Sequence, residues 1–139
     1  MSEAPRTLAE LAREGLEAYE RGDIETVLAL LRPDIEVSVS PVMPNPENVR
    51  SHEDFLTWVG RWEEAWGSFT SEILSLEAVD DDHVIAHTHQ RGTGAASGVE
   101  VEMDVFWMFE WDGAKASRIG LYVSREEALA AARGEGAAP

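Results

Sequence analysis

The chain has 139 residues, enough to bury a hydrophobic core without disulfides or a structural metal, and one domain over 1–139 is the default organisation. It contains no cysteine, which excludes disulfides, thiolate metal centres and cysteine nucleophiles. Its 27 Asp plus Glu against 11 Lys plus Arg give a formal charge of −16, which opposes association with nucleic acid or an anionic membrane surface. No run is apolar enough to span a bilayer, and MSEAPRTLAELARE lacks the basic and apolar blocks of a signal peptide, so a cytoplasmic location is expected.

Thr7 with Glu10 fits a capping box, and Leu8, Leu11, Ala12, Gly15, Leu16 and Tyr19 recur at helical spacing, predicting a helix that stops at Gly22. Asp23 caps a second, shorter helix with Ile24, Val27, Leu28 and Leu31 as its apolar stripe, stopped by Pro33. From 35 to 40, Ile35, Val37 and Val39 alternate with Glu36, Ser38 and Ser40, the pattern of a half-buried strand. Pro41, Pro44 and Pro46 then mark a loop, suited to the rim or lid of a pocket. Ser51 with Asp54 starts a third helix carrying Phe55, Trp58, Val59, Trp62 and Trp66 on one stripe, with Gly67 as its stop.

Four strands are expected next, over 69–79, 83–91, 99–111 and 115–123. Asp80-Asp81-Asp82, the glycines at 92, 94 and 98, and the Asp112-Gly113 turn link them. Ser124 with Glu127 caps a last short helix, and segments 1–5 and 134–139 are expected to be disordered. Helices first and long strands afterward predict an α+β fold with helices on one face of an antiparallel sheet. A strand over 99–111 would be about 43 Å long at ~3.3 Å per residue, so the sheet is expected to twist or bulge, and a curled sheet leaves a hollow. Along it Val101, Met103, Val105, Trp107, Phe109 and Trp111 share the face that reads as buried. Phe106 and Met108 lie opposite, an apolar pair that predicts a homodimer through the sheet.

This order of elements, with YERGDIETVLALLRPDIEVSVS near the start and FEWDGAKASRIGLYVSREEAL near the end, resembles the nuclear transport factor 2-like, SnoaL-like superfamily. Gly22, Asp23 and Asp34 are the fixed points of the likeness. It implies a cone in which a curved antiparallel sheet wraps the N-terminal and central helices, a cystatin-like roll. The superfamily spans isomerases, cyclases, hydrolases, dehydratases and binding modules, so the fold does not choose among them. Matched to the ketosteroid isomerase-like pattern, Gly15 stands where a tyrosine would, Val39 or Ser40 where the base would, and 105–107 where an inner acid would. None of the three roles is filled. Asp104 and Arg118 are the nearest approach to the acid and arginine of the epoxide hydrolase members.

The same match turns Ile85, His87, His89 and Arg91 inward and Ala86, Thr88 and Gln90 outward. His87 and His89 are then candidate acid/base catalysts, because imidazole titrates near neutrality. A second reading puts them on the dimer-forming face or in pairs with Glu102 or Asp104. His-x-His also suits a metal, but no third ligand can be identified, so no metal is predicted. No phosphate-binding glycine loop or redox residue stands out, so no cofactor is predicted. The aromatic residues exceed what a core of this size needs, and Tyr19, Trp58, Trp62 and Trp107, with His87, His89 and Arg91, are the expected ligand contacts. The expected partner is a small hydrophobic molecule carrying a carbonyl or carboxylate, either bound or turned over by a cofactor-independent isomerase, cyclase or hydratase. The alternative is a non-enzymatic, dimeric protein-interaction module.

Overall fold

Thr7 sets the first helix as its sequence dictates: its hydroxyl accepts from the Glu10 backbone N–H at 3.1 Å, while the Glu10 carboxylate accepts from the Thr7 N–H at 3.2 Å. The resulting α1 (Leu8–Glu20) buries Leu11, Ala12, Leu16 and Ala18. In this computed structural model residues 7–39 and 49–134 are described, apart from the side chains of Val39, Trp62 and Ala65. The proline loop and segments 1–5 and 135–139 therefore lie outside the described residues. Gly134, expected in the disordered tail, instead adopts a left-handed φ of +76° after the last helix, its N–H bonded to Ala131 O at 3.2 Å.

Gly22, at φ +78°, turns the chain after α1, and the Asp23 side chain accepts from Thr26 N–H at 3.2 Å to start α2 (Ile24–Ala29). This helix is shorter than its apolar stripe predicts. Leu30 O accepts from Ala116 N–H at 2.8 Å and Leu31 pairs with Ala116, so the chain becomes β1 (Leu31–Val39) before Pro33 is reached. Pro33 fits there because β1 is an edge strand with an irregularity between Leu31 and Glu36, where a missing N–H costs no ladder bond.

The Ser51 hydroxyl accepts from Asp54 N–H at 3.0 Å and opens α3 (His52–Ala65), which runs without a turn into β2 (Trp66–Ala78). Trp66, expected on the helical stripe, has strand dihedrals of φ −117° and ψ 130°. Its ring lies over Gly92 instead, where a Cβ would meet it at 2.6 Å. Then follow β3 (His83–Gly94), β4 (Glu100–Asp112), β5 (Lys115–Tyr122) and α4 (Arg125–Ala132). The described residues thus form four helices and a five-stranded sheet ordered β1-β5-β4-β3-β2. It is antiparallel except for the β1–β5 pair, which runs parallel. Irregular register between Ile73 and Ser75 on β2 and between Glu110 and Trp111 on β4 accompanies the curl of an α+β cone.

The helices α1, α2 and α3 fill the concave face, against Val84 and Ala86 of β3, Val105, Trp107, Phe109 and Trp111 of β4, and Ile119 and Leu121 of β5. On the convex face α4 lays Ala128, Ala131 and Ala132 over Ile85 and Met108. Met108 is fully buried there, which stabilises by roughly 1.5–3 kcal/mol and needs no second copy of the chain to cover it. That corrects the expectation of an exposed Phe106 and Met108 pair. Of the two, Phe106 remains half-buried, packed against this cluster. Among the described residues no helix is long and apolar enough to cross a membrane.

Candidate functional site

Because strand residues alternate between faces, Trp107, Phe109 and Trp111 form one aromatic row on the concave face, with successive ring centroids 6.0 Å apart. Opposite them stand Leu11, Gly15 and Tyr19 of α1 and Phe55 and Trp58 of α3, and between the two walls lies an apolar hollow of about 40 Å³. Leu16, Tyr19 and Trp107 also border a wider mouth of about 270 Å³, whose other walls include Glu20, Glu63, Ser71 and Gln90. The arrangement is a narrow apolar tip opening into a polar vestibule.

Two neutral groups set the chemistry of the vestibule. Burial, followed by the charge of Glu63, pushes the Tyr19 phenol up to about 12, so it stays protonated as a hydrogen-bond donor. It makes no hydrogen bond to a described residue. Thr88 is fully buried, and its hydroxyl accepts from Trp107 Nε1 at 3.0 Å and from Gln90 Nε2 at 3.3 Å while donating to Val105 O at 3.3 Å. One hydroxyl thus fixes both the tryptophan between tip and mouth and the amide beside it. No lysine, arginine or histidine lines either hollow among the described residues.

Of the residues expected at the site, Tyr19, Trp58 and Trp107 line the hollow, and the Trp62 side chain lies outside the described set. His87, His89 and Arg91, expected inside, are on the convex face. The β3–β4 register pairs His87 with Phe106 and His89 with Asp104, and opposed residues share a face, so fixing Trp107 inward fixes both histidines outward. There His87 Nε2 and His89 Nδ1 lie 3.2 and 3.1 Å from the same Asp104 oxygen. His89 Nε2 and Arg91 Nε lie 3.0 and 2.7 Å from Glu102 Oε1. The His87 ring stacks on Phe106 at 4.3 Å. Hydrogen bonds to Glu102 and Asp104 raise the His89 pKa, and the bond from His89 lowers that of each carboxylate. Pairing with Glu102 and Asp104, the second reading of these histidines, is what the structure shows.

Arg118 does not approach Asp104. It faces Glu110 across β4–β5, with Nη2 donating to Glu110 Oε1 at 3.3 Å and to Ala131 O at 3.0 Å. The same carboxylate receives His83 Nε2 at 3.0 Å, while His83 Nδ1 donates to Asp80 Oδ1 at 2.8 Å. Burial pulls the His83 pKa down, but the bonds to Asp80 and Glu110 outweigh it and the net direction is up. Among the described residues no group of three or more His, Asp or Glu side chains is arranged to hold a metal ion.

Thr88 and Gln90 are the residues that sequence reasoning placed outside. The signal for them was present in the charges: His87, His89 and Arg91 match Glu102 and Asp104 across the hairpin as an exposed ion-pair ladder would. The alternate set, Val84, Ala86, Thr88 and Gln90, is left for the interior.

A family model described as the SnoaL-like domain matches residues 12–119. No curated protein matches the chain in sequence. In structure the chain is similar to an NTF2-like protein from Burkholderia thailandensis E264, at 23% identity and a TM-score of 0.78 over 93% of this chain and 97% of that one. It is also similar to an NTF2-like protein of unknown function from Burkholderia pseudomallei K96243, at 15% identity and a TM-score of 0.77 over 90% and 96%. TerC, co-crystallised with polyporic acid, matches at 15% identity and a TM-score of 0.74 over 84% and 91%. Identities this low speak for the fold alone. With the family match running from within α1 into β5 and across every wall of the hollow, the chain belongs to the SnoaL-like domain family and shares its fold with NTF2-like proteins.

Proposed function

We propose that the protein binds a small, largely apolar, uncharged molecule in the hollow, its body against Trp58 and Trp107 and its polar end in the vestibule beside Tyr19 and Gln90. The observation that carries this reading is an aromatic-lined hollow opening onto a few hydrogen-bonding groups, Tyr19, Ser71 and Gln90 beside the acidic Glu20 and Glu63, the usual make-up of a small-molecule site. A carbonyl suits the protonated Tyr19 phenol. A carboxylate does not suit the vestibule, because Glu20 and Glu63 line it and no cation does. The crystallisation of TerC with polyporic acid is consistent with a small molecule being held by this fold.

The reading is one of binding rather than turnover. Among the described residues the tip carries no carboxylate or imidazole, Glu20 and Glu63 lie only in the vestibule, and a phenol near pKa 12 is a donor and a poor base at neutral pH. Acid/base roles for His87 and His89 are not carried forward, since both are engaged on the far face of the sheet. The test is a thermal-shift screen of neutral polycyclic ketones against the matching carboxylic acids. At a hundredfold excess over Kd a ligand stabilises by about 2.7 kcal/mol, which is readily measured. Ketones are expected to raise the Tm and acids not, with the ketone effect reduced in Tyr19→Phe. A flat response across the panel, or acids outperforming ketones, would refute the reading.

We further propose that the convex face pairs with a second copy. Phe106, stacked on His87, and Tyr122 pack against the α4 cluster yet stay half-buried, leaving apolar surface beside the charged ladder. Phe106→Glu is expected to halve the mass seen by sedimentation and leave ketone binding intact. A wild-type chain that sediments as a monomer would remove the proposal. The rival interaction module has less support: among the described residues the exposed large hydrophobics are Leu56 on α3, Leu74 on β2, Val99 and Val101 around the start of β4, and Val123 after β5, spread along the chain.

A further inference from the structure

Trp111 carries a buried polar group with nothing to bond. It is 6% exposed, it forms part of the wall of the narrow tip, and its indole Nε1 has no hydrogen-bond partner among the described residues. The ring stacks on Phe109, and the main chain at this residue is fixed by the Trp111 N–H donating to Asp82 O at 2.8 Å. Trp107, on the same face of the same strand, has its N–H bonded to Thr88. A buried donor left unpaired is destabilising, and Phe109 shows that an all-carbon ring is accommodated in the same row.

From this we infer that the closed tip of the hollow is an acceptor-specific subsite, in which Trp111 Nε1 donates to a carbonyl or ether oxygen at the inner end of the ligand. The inference rests on the reading of the hollow as a small-molecule site and adds to it a second anchor. Trp107 and Trp111 are separated by roughly 13 Å along β4 at ~3.3 Å per residue. The ligand class is therefore a flat apolar frame with oxygen acceptors at opposite ends, on the order of 10 Å apart, one for Tyr19 and one for Trp111. The tip, at about 40 Å³, admits the end of such a molecule rather than its whole body. Groups that only donate, such as an ammonium, would set donor against donor there.

The probes are a naphthalene bearing acetyl groups at its two ends and its diethyl counterpart, nearly equal in shape and differing in the carbonyl oxygens. Affinities are measured by calorimetry on the full chain, and the Trp111 indole N–H is followed by NMR. Wild type is expected to bind the diacetyl compound about tenfold more tightly. Trp111→Phe is expected to lose the share of that preference that Trp111 supplies, keeping the share due to Tyr19 and its affinity for the diethyl compound. In wild type the Trp111 N–H resonance should shift with the first probe and stay in place with the second, a readout that needs no variant to fold. Equal binding of the two probes, a preference undiminished in Trp111→Phe, or an N–H resonance indifferent to the diacetyl probe would each overturn the subsite and leave the hollow standing. Binding of neither probe would count against the hollow itself and take the subsite with it.

Discussion

A single hydroxyl organises the polar part of the hollow. Thr88 holds the Trp107 indole and the Gln90 amide through one oxygen and hands its proton to Val105 O. Thr88→Val keeps the shape of the side chain and strands the Trp107 N–H, so a loss of about 1–3 kcal/mol is expected by chemical denaturation. A variant as stable as wild type would show that the hub is not structural. The role was hard to read from sequence because threonine is common in exposed strand positions, and only the side on which Trp107 lies gives it a partner. Tyr19, Trp58 and Trp107 were legible, since aromatic residues at helical and strand spacing announce a buried wall whatever its register.

At the level of elements, capping chemistry made the helix starts legible. The hydroxyls of Thr7, Ser51 and Ser124 and the carboxylate of Asp23 each accept from the predicted backbone N–H. Element ends were less legible. Helical spacing places Leu31 and Trp66 on helices, yet both are strand residues because pairing with β5 and β3 outweighs local periodicity. The face of β4 was correct and that of β3 inverted, for a physical reason: each strand's alternation is visible in its own sequence, whereas the register that joins them is not. The β2–β3 register also brings the Trp66 ring onto Gly92 with no room for a methyl group. Gly92→Ala is therefore expected to cost about 1–3 kcal/mol through overpacking, read as a lowered denaturation midpoint. An unchanged midpoint would mean that the ring moves aside freely.

For the molecule as a whole, the convex face ties stability to pH in two directions. His89 and His83 have raised pKa values, so their contribution is complete below about 6.5 and is lost as pH rises through their folded values. Glu102, Asp104, Asp80 and Glu110 have lowered values, so theirs is present above the ordinary carboxylate range near 4 and is lost as pH falls through their folded values. Stability is expected to peak between about 4.5 and 6.5, below neutrality. The net charge of −16 pushes the same way, since protonation relieves self-repulsion. Replacing both His83 and His89 with Gln should flatten the alkaline side of the Tm profile, and a profile unchanged by the double replacement would contradict this assignment.

The parallel pairing of β1 with β5 also governs how the chain comes into being. During synthesis residues 31–39 emerge long before residues 115–122, so the earliest strand stays without its parallel partner β5 until that strand leaves the ribosome. Through that interval Leu11, Leu16 and Phe55 have no completed surface to lie against, and sequence-distant closure of this kind is slow. A nascent chain halted before residue 115 would therefore display its greasy helices to holding chaperones, and release should coincide with translation of the final strand.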